Sequence, residues 1–256
     1  ISLAYVIMII LIWIPMARRK SLAFLDVGQG DCFVADTKSG AIIFDGGSSS
    51  EDQVGRYRIL PYMKYLGYQK IQIAVISHMD IDHYSGIKEL LEMGKIKYLG
   101  LPEIPKDETM KKIIGIAKKR GTTIFYLSRG RQITTKDGSL KVLHPQKNSQ
   151  MEKNAASLVM QGKILGYRVL LTGDVEKEGE EELLLEELER ADILKAAHHG
   201  SKNSTSNEFL QKVQPKQTVI SCGKQNRYGH PHLETIHRLQ TYHTKIYRTD
   251  RSGAII

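Results

Sequence analysis

The sequence predicts a mixed α/β fold of the α+β kind, with strands and helices sharing one chemically equipped edge. Three observations predict it. Short apolar runs rich in β-branched residues, such as Ile71-Gln-Ile-Ala-Val-Ile76, recur along the chain and are bounded by Gly, Asp or Ser. Between several of them lie segments with apolar residues at helical spacing. Acidic and imidazole groups stand where the runs end: Asp45, His78 to His83, Asp174 and His198/His199. If those ends share one edge of the sheets, they converge on one pocket.

The elements follow in order. Leu22 to Ala35 reads as two strands around a Gly28/Gly30 turn, and Ala41 to Phe44 as a third that ends in Asp45-Gly46-Gly47. Consecutive strands with short turns suggest an antiparallel meander. At its strand end, Asp45 is placed to accept backbone N–H bonds from a neighbouring loop, and the glycine pair allows a ligand to approach the backbone closely. Arg56 to Leu66 carries apolar residues at Ile59, Leu60, Met63 and Leu66 with Gly67 as a stop, the spacing of an amphipathic helix. The run 71–76 is the next strand, and Ile87 to Met93 reads as helical. Ile96 to Leu101 is a strand, Glu108 to Arg120 a basic helix stopped by Gly121, and Thr122 to Leu127 a strand. Thr134 to Leu143 reads as a hairpin with Asp137-Gly138 at its turn.

The second half repeats the logic of the first. Ala156 to Met160 and Tyr167 to Leu171 read as strands around Gly162 to Gly166, the second ending in Thr172-Gly173-Asp174. An acidic helix, Glu176 to Arg190, reads as a solvated face. The strand Ile193 to Ala197 ends in His198-His199-Gly200-Ser201. Thr218 to Ser221 is a strand, Asn226 to His232 a loop, Leu233 to Tyr242 a helix, and Lys245 to Ile256 the closing strands. His144 reads as structural, and His237 and His243 as surface residues.

Length and composition bound the possibilities. A chain of 256 residues suits one large domain or two small ones. Hydrophobic content of 41% and charged content of 25% are those of an ordinary globular core and surface. The net charge is +9, and the stretch from Glu176 to Asp192 is acidic, so the remainder is more basic than the total implies. That balance fits a polyanionic partner, nucleic acid or a lipid surface, although a generic basic surface has the same signature. Cys32 and Cys222 sit in apolar runs with no CxxC pattern and read as buried thiols, with a single bond between them left open. Residues 1–17 carry no charge and are followed by Arg18-Arg19-Lys20. The segment is slightly short of the ~20 apolar residues of a spanning helix and reads as the end of one, with residues 18–256 as the domain proper. The basic triplet points that domain to the cytoplasm.

The densest chemistry is Ser77-His-Met-Asp-Ile-Asp-His83, followed by Tyr84-Ser85-Gly86. It places His78, Asp80, Asp82 and His83 within six residues directly after an apolar strand. A strand end is a rigid platform, and the alternation points neighbouring side chains to different sides of one small cavity. Neutral imidazole nitrogen and carboxylate oxygen suit Zn²⁺, Mn²⁺ or Fe. A polar loop with incidental histidines is the alternative, and four such groups in so short a stretch argue against it.

Together these motifs resemble the metallo-β-lactamase fold, an αββα sandwich with a dinuclear metal site on one edge. Within it they resemble the ComEC-type branch, the soluble domain of competence DNA-uptake channel proteins. The likeness is carried by Leu25-Asp-Val-Gly-Gln-Gly-Asp31, Ile43-Phe-Asp-Gly-Gly47, Ser77 to His83, Asn154 to Val159, Leu171-Thr-Gly-Asp174, His198 to Ser201 and Gly229-His-Pro231, in the family's order. The resemblance implies His78 and Asp80 as ligands of one metal, Asp82 and His83 of a second, Asp174 as the bridging carboxylate, and His199 in preference to His198 as the last ligand. The wider superfamily has His at the place of Asp80 and a further His ligand before the bridging Asp, where this chain offers Asn154 or Ser157. Those departures, which the ComEC-type branch shares, make the first site poorer in nitrogen and harder, which favours Mn²⁺ relative to Zn²⁺ or weakens that site. Two such ions, about 3.5–4 Å apart, clamp the oxygens of an in-line displacement. Asp82 is expected to orient the attacking water and His230 to protonate the leaving oxygen. Asn154, Ser157, Ser201 and Lys202 are expected on the substrate side.

The implied activity is a nuclease that cleaves the DNA strand not taken up. The implied partners are DNA, the membrane through an upstream transmembrane region, and other competence machinery. The family topology puts the domain on the extracellular face of the cell membrane, against the basic triplet, and the topology is preferred here. A hydrolase of a small-molecule substrate, a non-catalytic DNA-guiding module and a flavin-linked di-iron role stand as alternatives.

Overall fold

The apolar runs form strands, and the strands sort into two sheets. The computed structural model describes residues 20–151 and 154–256, so the apolar segment 1–17 and Arg18-Arg19 lie outside the described residues. Among the described residues no helix is long and apolar enough to cross a membrane. The first sheet has the order β1 (Leu22–Phe24), β2 (Phe33–Thr37), β3 (Gly40–Phe44), β4 (Ile71–Val75), β5 (Ile96–Pro102), β6 (Thr123–Leu127). Its first three strands pair antiparallel, as the meander predicts, and β3 to β6 run parallel. The parallel strands are connected by helices: α1 (Leu60–Tyr65), which continues a π-helical turn at Gly55–Ile59, then α2 (Ile81–Glu92) and α3 (Glu108–Lys119).

The second sheet comprises β7 (Gln132–Thr135), β8 (Gly138–His144), β9 (Val159–Ile164), β10 (Tyr167–Leu171), β11 (Ile193–Lys195), β12 (Gln217–Ile220) and β13 (Lys245–Arg248), in that spatial order. Strands β7 to β10 pair antiparallel, and β10 to β13 run parallel. Helices α4 (Lys177–Leu184), α5 (Asn207–Val213) and α6 (Leu233–Thr241) make the crossovers, and a short turn of helix α7 (Thr249–Ser252) follows β13. Each sheet is thus half meander and half parallel.

Three apolar clusters follow from this layering. Phe24, Phe33, Phe44, Val142, Leu158, Met160, Val169 and Leu171 pack between the two sheets. Ile43, Ile59, Met63, Ile76, Leu90, Leu99 and Met110 pack the helices on the outside of the first sheet. Val159, Leu170, Leu194, Phe209, Leu210 and Leu239 do the same for the second. Parallel strands buried on both faces explain why their sequences are continuous apolar runs rather than alternating ones. The result is the four-layer αββα sandwich.

Several boundaries differ from the sequence reading, each for a local reason. Helix α2 begins at Ile81 rather than Ile87, because Asp80 is an extended N-cap residue and Asp82 places a carboxylate in the positive first turn. Ala156 to Leu158 is a buried connection, not strand: Leu158 N–H donates to Ser77 O at 3.0 Å, which holds it across the end of β4. The acidic helix stops at Leu184, where the chain turns so that Ala191 N–H can reach Val213 O at 2.9 Å. The closing segment is one strand and a helical turn, with Thr249 Oγ1 fixed to Cys222 and Ile255 bridged to Phe24. Cys32 and Cys222 are free buried thiols.

Candidate metal centre

The parallel strands β3, β4, β10, β11 and β12 end on one edge of the sandwich, and the loops after them supply the site. The first contribution is a carboxylate platform. Asp45 follows β3 with a positive φ of 58° that turns its side chain under the next strand end. Its Oδ1 accepts Ser77 N–H at 2.7 Å, and its Oδ2 accepts Ser77 Oγ–H at 2.8 Å and His83 Nδ1–H at 2.9 Å. This is the orienting role the sequence assigns it. The Gly46-Gly47 pair serves backbone packing instead of ligand approach. A Cβ on Gly47 would lie 2.5 Å from both His83 N and Ile81 O, and Gly46 N–H donates to His83 O at 2.9 Å. The loop after β1 joins the same seam, with Asp31 N–H donating to Asp82 O at 3.0 Å.

The His78 to His83 stretch is therefore split. His78 and Asp80 lie in the loop, whereas Asp82 and His83 ride on the first turn of α2. Since Ser77 Oγ–H is committed to Asp45, Ser77 Oγ accepts His78 Nδ1–H at 3.0 Å. Asp174 enters from the end of β10, its N–H donating to Ser157 Oγ at 3.3 Å. His199 enters from the turn after β11, where His198 and His199 both take left-handed backbone, with φ of 47° and 52°. Its Nδ1–H donates to Ser221 O at 2.9 Å.

The three rings share one arrangement. In His78, His83 and His199 the Nδ1 atom is held by a protein acceptor, while Nε2 is buried with no hydrogen-bond partner, as is Asp174 Oδ1. These atoms converge. His83 Nε2 lies 3.1 Å from Asp174 Oδ2, and His199 Nε2 lies 3.3 Å from both Asp174 Oδ2 and Asp82 Oδ2. His78 Nε2 lies 3.7 Å from Asp80 Oδ2. Among the described residues four overlapping ligand sets result: His78/His83/Asp174, Asp82/His83/His199, Asp31/Asp45/His83 and Asp31/Asp174/His199. Buried polar atoms left without hydrogen bonds are costly, and imidazoles held through Nδ1 with Nε2 presented are how histidines bind metal ions. The residues fit a divalent cation centre.

Charge follows from the geometry. Burial alone would lower the His83 and His199 pKa values, but the carboxylates around them, Asp174 foremost, outweigh it and raise both well above the usual imidazole range. Conversely, burial would raise Asp174, and the facing His199 and His83 rings hold it well below the usual carboxylate range. Asp82 is lowered against its burial by His199 and His83. Burial, with the neighbouring His199, His198 and His232, pushes His230 down to about 4.

The centre floors a cleft of about 250 Å³ lined by Gln29, Asp80, Ile81, Asp82, Asp174 and His198, with His199, Tyr228 and His230 completing its wall. The structure brings His78, Asp80, Asp82, His83, Asp174, His199 and His230 together as expected. His198 is more exposed than its neighbour, with Nδ1 3.0 Å from Glu176 Oε1. The four residues expected on the substrate side lie elsewhere. Ser157 is buried beneath Asp174, and Asn154 reaches Glu176 at 3.5 Å. Ser201 is buried with its carbonyl taken by Thr235, and Lys202 lines an adjacent groove with Arg238. His144 is buried against Ala155 O, as its structural reading requires.

Two residues were missed. Lys195 is buried in β11, and its Nζ pairs with Asp31, donates to Gly173 O at 3.2 Å and lies 3.6 Å from Asp174 Oδ1. Asp31 in turn lies 3.3 Å from His199 Nδ1. The signal was available in Ile193-Leu-Lys-Ala-Ala197, a lysine inside an apolar strand, which has to find a buried anion.

Comparison with known proteins agrees with the geometry. Residues 25–224 match the Metallo-beta-lactamase superfamily. The chain is 35% identical to ComE operon protein 3 of Bacillus subtilis, over 98% of this chain and 34% of that protein. It is 30% identical to the competence protein ComA of Neisseria gonorrhoeae, over 93% of this chain and 32% of that one. It thus spans about a third of the length of these curated relatives. Among solved structures, the metallo-beta-lactamase fold protein YhfI from Bacillus subtilis superposes with a TM-score of 0.60 at 11% identity, covering 92% of this chain and all of that one. The two half-meander, half-parallel sheets, the imidazole and carboxylate cluster at their shared edge and the match over 25–224 carry one conclusion: the chain belongs to the metallo-β-lactamase superfamily of metal-dependent hydrolases.

Proposed function

We propose that the chain is a two-metal phosphodiesterase acting on DNA, working in DNA uptake. The observation that carries the metal reading is the convergence of the buried His83 and His199 Nε2 atoms on Asp174, with His78 in the same ligand cluster. His78 and Asp80 would hold one ion, Asp82, His83 and His199 the other, and Asp174 would serve both. When bound, the ions supply Lewis-acid polarisation of a phosphoryl oxygen and a lowered pKa for water. A first site with one imidazole and two carboxylates is hard, which favours Mn²⁺ over Zn²⁺ there.

The protein's own groups do the rest. Asp82 points into the cleft from a helix turn pinned to β3 and can orient a water molecule. His230 lines the same cleft and would exchange a proton with the leaving oxygen. Asp45, Ser77 and Ser221 fix the rings so that no reorientation accompanies the reaction. The net charge of +9 and the competence names of the relatives support DNA as the substrate. In this reading the domain works at the extracellular face of the cell membrane on the strand not taken up, next to other competence proteins.

The test is to measure metals bound to the purified chain by mass spectrometry and to assay cleavage of single-stranded DNA with Mn²⁺ or Zn²⁺, beside Asp82→Ala. About two ions per chain, with cleavage lost in the variant, is the expected result. Metal without cleavage would redirect the site to a small-molecule substrate. A folded chain with neither metal nor cleavage would leave a DNA-guiding module.

A further inference from the structure

The rim of the cleft is unlike its floor. The floor is Asp80, Asp82, Asp174, His198 and His199, whereas the rim carries two exposed apolar groups, Ile81 at 54% and Tyr228 at 42% exposure. Ile81 stands between two acidic residues at the start of a helix, where packing asks for no apolar side chain. Tyr228 is not a loose loop residue either. Asn226 closes the loop around it: its Nδ2 donates to Gly223 O at 2.9 Å and His230 O at 2.6 Å, and its Oδ1 accepts His230 N–H at 2.9 Å. The ring is held against His230, with centroids 5.6 Å apart and planes at 20°. His230 in turn lies 6.2 Å from the His199 ring. The Arg227 guanidinium sits 4.9 Å over the Tyr228 ring and donates to its hydroxyl at 2.7 Å.

A rigid, half-exposed aromatic ring with a guanidinium beside it, one ring removed from the metal ligands, is the surface that takes a planar base. We propose that Tyr228, with Arg227 and facing Ile81, is a stacking subsite for an unpaired nucleobase next to the phosphate being cleaved. The inference rests on the nucleic-acid reading above and sharpens it. A base must be unstacked to lie on Tyr228, so the site selects single strands or frayed ends over intact duplex, without reading sequence.

The test uses the full chain and two fluorescent oligonucleotides of equal length, an oligothymidylate and an abasic deoxyribose-phosphate chain. Binding is measured by anisotropy without added metal, and cleavage with Mn²⁺. Wild type is expected to bind oligothymidylate about tenfold or more tighter than the abasic chain. Tyr228→Ala should remove that difference by weakening oligothymidylate alone, and Tyr228→Phe should keep it. With Mn²⁺ the same loss should appear in KM with little change in kcat. Equal wild-type affinities for the two chains, or an equal loss on both in Tyr228→Ala, would overturn the subsite. Base-dependent binding with no cleavage of either chain would instead overturn the nuclease reading and leave the subsite standing.

Discussion

His83 Nδ1 lies 2.9 Å from Asp45 Oδ2, and both side chains are fully buried. The contact fixes which nitrogen of His83 carries hydrogen and so presents Nε2 to Asp174. Asp45→Asn keeps the shape and one acceptor oxygen but points an amide N–H₂ at the ring or turns the oxygen away from Ser77. Mn²⁺ affinity, by isothermal titration, should fall about 10- to 100-fold. Unchanged affinity would show that Asp45 supports the strand end and not the ring.

Lys195 and Asp31 make a second buried device. The ammonium offsets the carboxylates of Asp31 and Asp174, which hold its pKa up against the burial that would lower it. Lys195→Met takes away the nearest cation of the buried Asp31 and leaves it only the imidazoles, His199 at 3.3 Å first, and chemical denaturation should show a loss of up to about 3–5 kcal/mol. The double variant Lys195→Met/Asp31→Leu should recover much of it, because the anion that lost its nearest cation is removed with it. A double variant as unstable as the single one would mean that the lysine acts through packing.

Part of this arrangement was legible in the sequence because it is local. Parallel strands buried on both faces write themselves as Ile71 to Ile76 or Tyr167 to Leu171, and the ligands after them sit at short spacing. What was not legible is what depends on distant partners. Asp82 and His83 read as loop ligands because nothing local says that Gly46 N–H caps the seam to His83 O and lets the helix start at Ile81. Lys195 is a lysine inside an apolar strand, but its partner Asp31 is far off in the chain. Ser201 and Lys202 neighbour a metal-site histidine in sequence, yet the left-handed turn at His198-His199 sends them away from the cleft.

The pH dependence has a definite sign. His83 and His199 have raised folded-state values, so without metal their contribution to stability is complete below the ordinary imidazole pKa of about 6.5 and is lost as pH rises through the raised values. Asp174 is depressed, so its contribution is present above about 3.9 and is lost as pH falls through its lowered value. The metal-free cluster therefore stabilises most between about pH 4 and 6.5. Metal needs these rings neutral, so binding must release their protons and strengthen with pH. The rise in Tm on adding Mn²⁺ should grow from pH 6 to 8, and titrations in buffers of different ionisation enthalpy should show net proton release. A pH-independent rise in Tm would mean that the rings are already neutral.

Gly47 tests whether the seam positions the centre. Its Cβ position lies 2.5 Å from His83 N and from Ile81 O, both backbone atoms of the first turn of α2, so neither can yield as a flexible side chain would. Gly47→Ala must push that turn away from the end of β3, carrying Asp82 and His83 with it while leaving His78, Asp174 and His199 in the loops after their own strands. The fold should lose about 1–3 kcal/mol, the range for overpacking a tight contact. The ligand set holding Asp82 and His83 should suffer more than the fold does. The expected outcome is a chain that melts cooperatively and binds fewer ions by mass spectrometry than wild type. Full metal occupancy in a stable Gly47→Ala variant would show that α2 shifts as a body with its ligands, and that the glycine seam does not set the geometry of the site.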